Sequence, residues 1–165
     1  PEATIAPMYL DGLSFLDDER ETWRPFEALA DLPDAALERP VEAAHGWSGR
    51  DLMIHLAMWL EIALAGAKEL AVAEESPTLR RADADWDAKG DAMNDELAAA
   101  WADLPLDEIR TRFRTLPGEL RGYLTVVPES RWLKNAEAFR WLSEETIDHY
   151  AGHEGDLAAI LAASR

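Results

Sequence analysis

At 165 residues the chain is long enough to bury roughly two thirds of its unfolded surface in a single core, so one domain over residues 1–165 is expected. It contains no cysteine, which removes disulfides, thiolate metal ligands, a cysteine nucleophile and a CxxC redox motif together. Its 16 Lys+Arg against 33 Asp+Glu give a formal net charge of −17, a field that repels phosphate backbones and anionic lipid and so excludes nucleic acid and membrane surfaces as partners.

No apolar run approaches the ~18 residues of a membrane span, and no signal-peptide pattern opens the chain, so a cytoplasmic protein is expected. The alanine-rich, lysine-poor composition has the bias of a GC-rich bacterial genome.

Period-2 alternation is not sustained anywhere, and the one β-branched cluster is the short "LTVVP" at 124–128, so the chain reads as all-α. A first helix is predicted from Tyr9 to Leu29, with Leu13, Leu16, Trp23 and Phe26 on its apolar side and "DDERE" facing water. Pro25 removes a backbone donor inside it, so the helix bends or restarts there. After a Pro- and Gly-containing connection, Ser48 is an N-cap and Asp51 completes a capping box, starting a second helix whose inward stripe is Leu52, His55, Trp59, Ile62 and Gly66.

The polar "EESPTLRRADAD" from Glu74 is expected to be a long loop. "WDAKGDAMNDELAAAWADL" and "LDEIRTRFRTLPGELRGYLTVV" read as helices separated around Pro105, with Pro117 interrupting the second. "PESRWLKNAEAFRW" is expected as a second long loop, and a last helix runs from Ser143 to Ala163. Four main helices with long second and third connections predict a four-helix bundle.

The stretch "HYAGHEGDL" places His149 and His153 four apart. On a regular helix that is an advance of about 400° and about 6 Å, which sets both imidazoles on one face. If that helix neighbours the second, His55 meets them. Three neutral imidazoles suit a divalent Zn, Ni, Co or Fe ion and leave a position for water or substrate. The alternative is a core histidine at 55, satisfied by a backbone or carboxylate partner, and a solvated pair at 149 and 153. His45 falls in a loop and is assigned no role. Asp51, Glu145, Asp148 and Glu154 are candidates to orient imidazole N–H groups, and Trp59 either walls the site or packs in the core.

"ALADLPDAALERPVEAAHGWSGRDLMIHLAMW" resembles the first-half signature of the DinB/YfiT-like superfamily, "WDAKGDAMN" is similar to the stretch that follows it, and "IDHYAGHEGDL" resembles the closing helix. The resemblance covers nearly the whole chain. It implies a four-helix bundle of up-down-down-up topology with long loops, a homodimer, and a divalent metal, zinc or nickel first, held at one end of the bundle by residues that map onto His55, His149 and His153. Superfamily members act as mycothiol-dependent maleylpyruvate isomerases and as bacillithiol or related thiol S-transferases. Here a low-molecular-weight thiol such as mycothiol or bacillithiol would attack a small-molecule substrate. The isomerase carries a glutamate where this chain has His149. The competing expectation is a non-catalytic stress-response bundle that sequesters a small molecule or metal.

Overall fold

A computed structural model describes residues 9–165, and residues 1–8 of the expected domain lie outside the described residues. The described residues form helices and no strand. In chain order these are α1 (Gly12–Trp23), α2 (Glu27–Ala30), α3 (Asp34–Glu38), α4 (Gly49–Val72), α5 (Pro77–Lys89), α6 (Asp91–Ala99), α7 (Leu106–Val126), α8 (Ala136–Ser143), α9 (His149–Gly152) and α10 (Glu154–Ala163). No helix among the described residues is long and apolar enough to cross a membrane.

The first helix starts at Gly12 rather than Tyr9, because Asp11 caps it by accepting from the Ser14 amide at 2.8 Å. Pro25 ends its α-ladder, and a 3-10 turn at Arg24–Phe26 carries the chain into α2. Of the expected inward residues, Leu16, Trp23 and Phe26 are buried. Leu13 is 65% exposed, whereas Phe15 and Glu19 are buried. Glu19, expected to face water, accepts from Tyr150 Oη at 2.9 Å and from Arg121 at 2.7 Å.

Helix α4 is the central element and packs along α7 and against α3, α5, α6 and α10. Its start is as expected: Ser48 accepts from the Asp51 amide and Asp51 accepts from the Ser48 amide, two orphan donors satisfied reciprocally. Helix α7 runs through Pro117 without a break. The apolar series Phe113, Leu116, Leu120 and Leu124 is buried, and that burial outweighs the one ladder bond the proline cannot make.

The two expected long loops are largely helical. Ser76 accepts from the Leu79 amide, Pro77 takes the first helical turn where a missing N–H costs nothing, and Glu69 ties the turn by accepting from Ser76 and Thr78. These local signals start α5 nine residues before the tryptophan at which helix was expected to resume. Gly90 then separates α5 from α6 with φ +55 and ψ −133, a conformation only glycine adopts freely. In the second expected loop, Asn135 caps α8 by accepting from the Ala138 amide at 3.1 Å.

Trp101 and Trp132 are 4% and 0% exposed within this one chain, so a dimer would rest on other surface.

Gly66 sets the approach of α5 to α4. A Cβ there would lie 2.6 Å from Leu79 Cγ. Gly66→Ala gains about 1 kcal/mol of helix propensity but overpacks a buried contact at a cost of about 1–3 kcal/mol. A net loss is expected, seen as a melting temperature lower by a few degrees. Adding Leu79→Ala should recover part of it. Additive losses in the double variant would contradict the clash.

Candidate metal centre at the floor of a cleft

His55 projects from the second turn of α4, and His149 and His153 come from the far end of the chain. The last helical segment is not the single regular helix expected from Ser143. A π-helical turn, Glu144–Asp148, follows α8, and Thr146 Oγ1 donates to Leu142 O within it. One widened turn changes the helical phase of everything after it. The helix breaks again at His153, whose φ −109 and ψ 6 fall near the bridge region that active-site residues frequent. His149 and His153 therefore face one point across a break.

The result is a compact triad. The ligand atoms of His55, His149 and His153 all lie within 4.8 Å of one another. His149 Nε2 is 2.9 Å from His55 Nε2, and the three ring pairs have centroid separations of 4.8, 4.8 and 4.9 Å. Trp47 stacks on the His153 ring at 5.6 Å and 19°, and approaches His55 at 4.9 Å, fixing both rings from the α4 entry side.

Asp156, not one of the carboxylates expected from the sequence, orients the triad. Its Oδ2 lies 2.9 Å from His153 Nδ1 and its Oδ1 lies 2.9 Å from His45 Nδ1. A carboxylate only accepts, so His153 carries its proton on Nδ1 and presents a free lone pair at Nε2. Burial would raise the Asp156 carboxyl, but the hydrogen bonds from His153 and His45 hold it below its ordinary value. His45, expected to be idle, is the left-handed residue of its turn at φ 59 and reaches Asp156 from the surface. The signal was the three-residue spacing of His153 and Asp156, which brings neighbours together on a helical turn.

The carboxylates proposed from sequence fare differently. Glu145 Oε2 lies 3.8 Å from His149 Nδ1, a buried nitrogen with no hydrogen-bond partner. Asp51 is spent on the α4 cap. Asp148 and Glu154 are exposed.

A cleft of about 520 Å³ opens onto His55 and His149, walled by Trp59, Trp86 and Trp141. Trp59 is a core residue and a wall at once: it is buried, and its Nε1 donates to Asn94 Oδ1 at 2.8 Å. A second cleft of about 510 Å³ reaches His55 and Asn94 from the Trp47 and Met58 side. The triad is thus accessible along two routes.

Residues 17–140 match the family model described as the mycothiol maleylpyruvate isomerase N-terminal domain. The chain belongs to this DinB-like family. The match contains His55 and ends before His149, His153 and Asp156, so the geometry of those residues comes from the structure alone. No curated protein and no solved structure matches the chain.

In this member of the mycothiol maleylpyruvate isomerase N-terminal domain family, the rings of His55 and His149 are held as bases. Burial, then the His153 charge, lowers His55 from 6.5 to about 4. Burial, then the other two rings, lowers His149 to about 3. Burial, then Glu144 and Asp83, raises the Glu145 carboxyl from 4.5 to about 7. The two kinds of shift oppose each other in the metal-free protein. A histidine depressed in the folded state makes stability fall as pH drops through the range from 6.5 toward 4. A carboxyl raised in the folded state keeps a proton that the unfolded chain loses, so its contribution falls as pH rises from 4.5 toward 7. Glu145→Gln removes the second effect. Its stability should rise more steeply with pH than that of wild type, by up to about 1.4 kcal/mol per pH unit between roughly pH 5 and 6.5. Parallel urea-midpoint profiles for the two metal-free proteins would contradict the assignment.

Proposed function

We propose that His55, His149 and His153 hold one divalent cation, and that the protein uses it to join a low-molecular-weight thiol to a small electrophile in a metal-dependent S-transfer or isomerisation. The observation that carries this reading is the convergence of three imidazoles, one of them at a helix break, at the floor of an open cleft. The donors fit such an ion. Two imidazole nitrogens face each other at 2.9 Å, and Asp156 leaves the third ring with a lone pair to share. Three neutral nitrogen ligands suit zinc or nickel and leave coordination positions open.

A cation held there supplies Lewis acidity that stabilises a thiol as its thiolate near neutral pH. The chain's own groups do the rest. With no cysteine among its residues the protein contributes no thiol, so the nucleophile comes from a second molecule. Trp47 and Asp156 keep the His153 ring from turning. Glu145, beside His149 Nδ1, is placed to accept that N–H once it ionises. The two clefts meeting at His55 give thiol and electrophile separate approaches, and the family supports mycothiol as the first thiol to test.

The reading includes a four-helix, up-down-down-up arrangement of α1, α4, α7 and the α8–α10 segment, supported by α4 lying along α7 and α1 touching both α7 and α9. The test is turnover. Zinc-loaded and chelator-treated protein are incubated with monochlorobimane and mycothiol, bacillithiol or glutathione in turn. Adduct formation above background with at least one thiol, returning to background after chelation, is expected. Stoichiometric metal uptake with no turnover for any thiol would replace the enzymatic reading by a binding one.

A further inference from the structure

The cleft over His55 and His149 has walls of one chemical character and a rim of another. Its indoles grade from buried Trp59 and Trp141 to Trp86, which is 43% exposed, with ring centroids of 5.9 Å for Trp59–Trp86 and 6.3 Å for Trp59–Trp141. Its charged groups are Asp83, Asp87, Glu144, Glu145 and a single cation, Arg140. That guanidinium is already taken. Nη2 is 2.7 Å from Asp83 and Nη1 is 2.9 Å from Glu144, so its positive charge is already shared between two carboxylates of the rim. The carboxyls of Asp83, Asp87 and Glu144 outnumber that one guanidinium, and aromatic faces beside such an excess of negative charge attract positive charge and repel negative.

We propose that this cleft takes an organic cation with a compact apolar body, and that it rejects carboxylate anions. Asp87 and the exposed edge of Trp86 receive the charged end, and the buried indoles of Trp59 and Trp141 receive the apolar body on the way to the histidines. The inference deepens the proposed function by naming the substrate class, and it rests on that reading only in taking this cleft as the substrate's place. A ligand of about one ring fits with room to spare in a cavity of about 520 Å³.

Three probes of similar shape separate the outcomes: benzyltrimethylammonium, its uncharged carbon isostere neopentylbenzene, and phenylacetate. Binding to the full chain is read by quenching of tryptophan fluorescence and by calorimetry, in metal-free and in zinc-loaded protein. In the metal-free protein the cation should bind about tenfold more tightly than the uncharged isostere, with phenylacetate the weakest of the three. Trp86→Ala should reduce the preference at least about threefold, and Asp87→Asn, which alters charge without altering packing, should do the same. Phenylacetate binding as tightly as the cation would overturn the proposal, as would equal binding of cation and isostere, or no binding of any probe. A zinc titration of the same preparation reports on the metal separately. Saturable zinc without cation preference overturns the cleft assignment alone, and cation preference without zinc uptake overturns the metal reading alone.

Discussion

His153→Ala is expected to cut bound zinc from about one ion per chain to almost none, with affinity weakened about a hundredfold or more, while the helical fold persists. The variant leaves two imidazoles, and it also strips Asp156 of one of its two hydrogen-bond partners. The core does not depend on these rings. Leu52, Leu56, Trp132 and Leu142 are fully buried, and the α4–α7 packing needs no ion to form. His55→Ala should behave alike. Asp156→Asn should fall between wild type and these variants, at about 10–100-fold, because it removes the charge that fixes the His153 tautomer but not the ligand itself. Metal content by mass spectrometry and far-UV circular dichroism check the series. Equal zinc in wild type, His55→Ala and His153→Ala would sink the triad. Helicity lost in step with zinc would make the ion structural.

Glu19→Ala should be the most destabilising single change away from the triad, at about 3–5 kcal/mol and roughly 10 °C in melting temperature. Glu19 is 1% exposed. Its removal leaves the Arg121 guanidinium, 18% exposed, without its carboxylate, and the fully buried Tyr150 hydroxyl without an acceptor. Burial pushes the Glu19 carboxyl above its ordinary value, while Arg121 and Tyr150 pull the other way, so the network is held by its complete set of partners rather than by attraction alone. Glu19→Gln keeps an oxygen for Tyr150 and should cost much less. Tyr150 adjoins His149, and it joins α1 to the segment that carries the triad, so Glu19→Ala should also weaken zinc binding in the folded fraction. A melting temperature within a degree or two of wild type would show that the network is not what ties α1 to this segment.

The helical class, the α4 start at Ser48 and the inward stripe through His55 were legible because each rests on short-range chemistry: a capping box, and apolar residues recurring at helical spacing. The same chemistry was present at Ser76-Pro77 and Asn135, where loops were expected. There the polar composition concealed two caps whose helices bury only narrow stripes, such as Leu79 and Ala82 on α5. Glu19 defeated the pattern altogether, because a carboxylate inside "DDERE" looks solvated until the distant Arg121 and Tyr150 are brought to it.

The sequence by itself determined the ligand chemistry available to this protein: no thiol, a strong excess of acid, and histidines at 55, 149 and 153. Residue identity sets donor type, charge and local helix signals, and those need no partner. Tertiary structure alone decided that the three rings meet, because the π-helical turn and the break at His153 set the phase of the last segment, and α4 must lie beside it for 94 residues of separation to close to 2.9 Å. It also decided that Asp156, not the nearer-looking Asp148 or Glu154, holds the ring, and that Arg140 is consumed by Asp83 and Glu144. Hydrogen bonds between side chains are satisfied by whichever groups packing leaves within about 3 Å, and no periodicity in one chain segment encodes which groups those will be.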